Sequence, residues 1–103
     1  MSYVKLPWHV RQYVKAELMS YEKTKRGLDD IHDGRIRNST VKRLESIDKV
    51  FNSLNEYDRE VSDLIFLKHY SQARAEYEGV GFKTYYRVMN KVLYQTAIEL
   101  DII

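Results

Sequence analysis

A chain of 103 residues with 44% apolar side chains makes a single small folded domain, or a small domain with an extra helical arm, and is not a disordered segment. Its 17 basic and 15 acidic side chains leave a net charge of +2, which excludes a polybasic coat for nonspecific nucleic-acid binding but not a local stripe of charge. Cysteine is absent, so disulfide frameworks and thiolate metal sites are excluded.

No apolar run approaches the roughly 18 residues needed to span a bilayer. Met1 to Leu6 carries only Lys5 and leads into a charge-dense segment, unlike a secretory leader. The expectation is a soluble, cytoplasmic protein without a membrane partner. A domain of this size buries only roughly 60–65% of its unfolded surface, so self-association would help it.

Pro7 suits the first turn of a helix, where its missing N–H is no loss. Val10, Val14, Leu18 and Tyr21 then recur at helical steps, which predicts an amphipathic helix from Pro7 to about Lys25. Gly27 would fray it, with Leu28 and Ile31 continuing the apolar seam. Asp33-Gly34 reads as a turn, and Arg35 to Asn38 as a short loop.

Ser39 is the expected N-cap of a second helix carrying Val41, Leu44, Ile47, Val50, Phe51 and Leu54. Asn55 opens a third, with Asp58 three residues on in the manner of a capping box. Val61, Leu64, Ile65 and Tyr70 give that helix its inward face, widened by Phe66 and Leu67. Ser71 starts a short fourth helix reaching Tyr77. After a glycine-bearing turn, Gly81 or Phe82 starts a fifth, running to about Leu100. No window alternates as a strand does. The predicted fold is all-α: an N-terminal helical arm over 1–34 and a bundle over 35–103, with a helix-turn-helix at about 71–100.

His9, His32 and His69 lie far apart and form no metal-ligand pair, while the Asp29, Asp30, His32, Asp33 cluster is equally well explained as a charged helix end. No GxSxG context and no glycine-rich phosphate loop is present. Glu56/Asp58 and Glu76/Glu78, at i and i+2, fall on different sides of a helix. Nothing argues for an enzyme, a metal or a cofactor.

The fifth helix is different. Lys83, Arg87 and Lys91 stand four residues apart and stack three cations on one face, while Tyr85, Met89, Val92 and Leu93 turn toward a core. Helix, tight turn and basic second helix is the order of a helix-turn-helix, whose second helix enters the DNA major groove. Phe82, Lys83 and Thr84 occupy its first turn. Lys83 and Arg87 would reach guanine or phosphate, with Arg87 able to pair bidentately with guanine. Thr84 and Tyr86 would donate to phosphate, and Asn90 and Lys91 extend the strip. The competing account of this face is a solvated stripe without a partner.

Leu54 to Leu100 resembles region 4 of sigma factors. The shared order is Asn55-Glu56-Tyr57-Asp58-Arg59-Glu60-Val61, an apolar helix, a short helix, a Gly-Val turn, then Thr84-Tyr85-Tyr86-Arg87 opening the reader helix. Within that group the chain is most similar to the RinA/ArpU-type late-gene regulators of phages of Gram-positive bacteria. Ile47-Asp48-Lys49-Val50 and Ile98-Glu99-Leu100 also fit them.

The resemblance implies a sequence-specific regulator that binds double-stranded promoter or operator DNA in the bacterial host cell and switches on packaging and structural genes, with host RNA polymerase as a further expected partner. It implies no catalysis and no cofactor. The apolar seam Val10, Val14, Leu18, Tyr21 adds the expectation of a homodimer. Two alternatives stand: a helical adaptor or inhibitor that engages proteins through its nine tyrosines, and a small terminase-like DNA-packaging subunit.

Overall fold

The structure, a computed structural model, describes residues 5–103. The expectations placed on Met1 to Val4, the start of the arm and the absence of a leader, lie outside them. Among the described residues there are six α-helices and no strand. The chain is all-α.

Helix α1 spans Trp8–Met19 and α2 spans Tyr21–Arg26. The single helix expected from Pro7 to Lys25 is therefore broken at Ser20. There the hydroxyl donates to the Glu17 carbonyl at 3.1 Å, a back-bond of the kind that bends helices. The break turns Tyr21 inward: its ring meets Phe51 edge-on at 5.4 Å, and its hydroxyl donates to the Asp48 carboxylate. Burial and the neighbouring Asp48 push the Tyr21 phenol above its ordinary pKa.

Helix α3 spans Gly34–Ser53. It begins five residues before the expected cap at Ser39, because the Asp33 carboxylate accepts from the Arg35 and Ile36 N–H groups at 2.9 and 3.1 Å. What reads as an Asp-Gly turn is an N-cap, and Arg35 to Asn38 is helical. Thr40, Leu44, Ile47, Val50 and Phe51 face inward.

Helix α4 spans Glu56–Ser62, capped as expected by Asn55, whose side chain accepts from the Asp58 N–H at 2.8 Å. It continues as a wider π turn over Asp63–Leu67 that ends before Tyr70, with His69 in the left-handed region at φ 56°. Helix α5 spans Gln72–Tyr77 with Ser71 as its cap, and α6 spans Phe82–Glu99.

On both sides of Gly34 the chain packs into one core. Val14 and Leu18 of α1 are buried with Ile47, Val50 and Phe51 of α3, Val61 of α4, and Val88, Val92 and Leu93 of α6. Helix α6 is the common partner, lying against α1, α3, α4 and α5. The seam expected to drive dimerisation is consumed by this packing: Val14, Leu18 and Tyr21 are buried within one chain, and Val10 packs against the same core.

Candidate nucleic-acid interface

Helix α5, a turn, then α6 stand in the order a helix-turn-helix requires. The turn is closed by backbone bonds from Gly79 N–H to the Glu76 carbonyl at 3.0 Å and from Val80 N–H to the Ala75 carbonyl at 2.9 Å. These are the paired hydrogen bonds of a Schellman ending, which needs a left-handed residue, supplied by Gly79 at φ +88°. Val80 and Ala75 are then buried together beneath the turn. The Tyr85 hydroxyl donates to the Tyr70 carbonyl at 2.7 Å, tying the first turns of α6 to the residue just before the Ser71 cap. Burial and the adjacent Tyr86 push the Tyr85 phenol upward.

The residues singled out on α6 divide into two groups. Phe82, Lys83 and Tyr86 are exposed at its start, and Thr84 is half-buried beside them. Phe82 is 61% exposed, and its ring rests edge-on against Tyr86 at 5.0 Å. Lys83 stands in a first turn that holds no acidic residue and is capped by Gly81, which has no side-chain oxygen to offer. A cation at that end adds to the partial positive charge of the helix N-terminus rather than offsetting it. No carboxylate appears on α6 until Glu99.

The second group lies one to two turns further on and is engaged by the protein itself. Arg87 donates through Nη2 and Nη1 to the two oxygens of Asp58 at 2.8 and 3.1 Å, and Lys91 Nζ donates to the same carboxylate at 3.3 Å. Asp58 is 2% exposed, whereas the Arg87 side chain remains half exposed. The Arg87 guanidinium holds the Asp58 carboxyl below the usual carboxylate range against the upward push of burial, and Lys91 adds to that hold. Asn90 accepts through Oδ1 from Arg11 Nη1 of α1 at 2.7 Å.

Asp58 is the partner of Arg87 and Lys91 that helix-by-helix reading misses. Its carboxylate does not complete a capping box with Asn55; it turns to α6. The signal was its place in the register 58, 61, 65, which puts a carboxylate on the same inward face as Val61 and Ile65. A carboxylate there demands a cation from another element.

Among the described residues no group of His, Asp or Glu is arranged to hold a metal ion, and no helix is long and apolar enough to cross a membrane. In the Asp29 to Asp33 cluster, Asp33 serves as the α3 cap and Asp29 faces Arg37 at 3.7 Å. No family model matches the chain, and no curated protein or solved structure matches it either.

Proposed function

We propose that this protein is a sequence-specific double-stranded DNA-binding transcription regulator that lays the start of α6 in the major groove. The observation that carries the reading is a Gly79-closed helix-turn-helix whose second helix presents Phe82, Lys83 and Tyr86 outward and no carboxylate before Glu99. In this reading Lys83 and Thr84 meet phosphate or base edges. Arg87 and Lys91, already tied to Asp58, act chiefly in holding α6 against α4 and secondarily as phosphate contacts. The resemblance to RinA/ArpU-type regulators makes late phage genes the expected targets, in the cytoplasm of a bacterial host. The test is enrichment of duplexes from a random library, followed by footprinting. A defined protected site supports the reading, and an unenriched pool refutes it.

A protein-interaction adaptor is the second reading. It is favoured by Tyr77, 92% exposed on α5, and by the exposed carboxylates Glu56 and Glu60 on α4, Glu76 on α5 and Glu78 just after it. Those charges would repel a duplex approaching from that side. An adaptor shows no saturable DNA binding at any salt concentration.

A further inference from the structure

We propose that Phe82 is a specificity-determining residue that reads the 5-methyl group of thymine in the major groove; this rests on the DNA-binding reading above. Three rings run in series from the core to the tip of α6. Tyr85 is buried and anchored by its bond to the Tyr70 carbonyl; Tyr86 packs on Tyr85 edge-on at 5.2 Å; Phe82 packs on Tyr86 at 5.0 Å. The series holds a large apolar ring in water on the first residue of the helix, where the side chains of a reader helix meet base edges. Hydration of that ring is unfavourable, so it gains from any apolar surface brought to it.

Within the major groove the apolar group on a base edge is the thymine methyl, which phenylalanine side chains contact. The polar side chains that would otherwise read bases are occupied further along α6: Arg87 and Lys91 on Asp58, and Asn90 on Arg11. Lys83, beside Phe82, supplies the positive charge that draws the phosphates of the same duplex toward this end. An apolar ring next to a cation, on a helix face free of carboxylates, fits a thymine-bearing groove better than it fits a protein surface.

The experiment replaces thymine by deoxyuridine, one position at a time, in a duplex enriched by the parent protein from a random library. This removes the methyl group and leaves the hydrogen-bonding edge unchanged. The parent is expected to bind about fourfold more weakly at each contacted thymine, the worth of one buried methyl group. Phe82→Ala should bind the thymine and deoxyuridine duplexes equally, near the parent's affinity for the latter, while Lys83→Ala loses affinity for both and keeps the ratio. Because Phe82 is exposed, its variant should fold like the parent, which circular dichroism checks. Equal binding of both duplexes by the parent, discrimination retained in Phe82→Ala, or an enriched site without thymine overturns the inference while leaving DNA binding standing. A parent that binds no duplex saturably overturns the DNA-binding reading itself, and this inference with it.

Discussion

Asp58 and Arg87 join α4 to α6 through a two-pronged ion pair, with nitrogen–oxygen distances of 2.8 and 3.1 Å and the carboxylate almost wholly buried. Removing the carboxylate strands two cations at a helix interface, although Arg87 can turn to water. Asp58→Ala should therefore destabilise the fold by about 2–3 kcal/mol, toward the upper range for hydrogen bonds between charged groups. Arg87→Ala should cost less, since Lys91 still faces the carboxylate. Urea unfolding of the two variants and the parent measures both.

The same pair sets an acid dependence. Arg87, then Lys91, lowers the Asp58 carboxyl below its unfolded value, so as pH falls the unfolded chain takes up the proton first. The stabilisation is complete above about pH 4 and disappears as pH drops further through the folded value. Parent and Asp58→Asn should differ in urea midpoint at pH 7 and begin to converge only as pH falls below about 4. Parallel curves over that range would mean that the pair contributes nothing.

Tyr85→Phe should cost about 1 kcal/mol through loss of the hydroxyl bond to the Tyr70 carbonyl, and Tyr85→Ala about 3–5 kcal/mol through a core cavity. Thermal melts separate the two. Near-equal melting temperatures for the variants would place the ring outside the core.

The two glycines beside the turn should respond oppositely. Gly79→Ala forces a side chain into φ +88° with open space around it, so its cost is conformational, about 1 kcal/mol. Gly81 has an N-cap backbone, φ −67° and ψ 159°, and open space for a Cβ. Gly81→Asp should stabilise the fold by a few tenths of a kcal/mol while its negative charge weakens DNA binding, a separation that melting and titration together would display.

Local chemistry made much of this architecture readable. Asn55 and Ser71 cap helices with their own side-chain oxygens, and the unbroken apolar period of α6 between a glycine turn and the chain end fixed its span to within a residue. Asp33 misled because Asp-Gly is as good a turn as it is a cap, and Ser20 because a serine within a helical pattern can equally turn its hydroxyl to water or back-bond the preceding turn. At the candidate interface, helical spacing alone exposed Lys83 and buried Tyr85. The fate of Arg87, Lys91 and Asn90 was hidden, because their partners stand 29, 33 and 79 positions away in sequence. A period of 3.6 residues says which way a side chain points, not what another helix brings to meet it.

If the start of α6 meets DNA phosphate, as proposed, the affinity of the protein for a duplex must depend on salt in a defined way. Duplex affinity of the parent and of Lys83→Ala is measured from low to moderate salt on a random and an enriched duplex. The parent's log affinity should fall steeply and linearly with log salt, and Lys83→Ala should lessen that slope by about one unit on both duplexes. Absence of saturable binding by the parent, or an unchanged slope in Lys83→Ala, would contradict it.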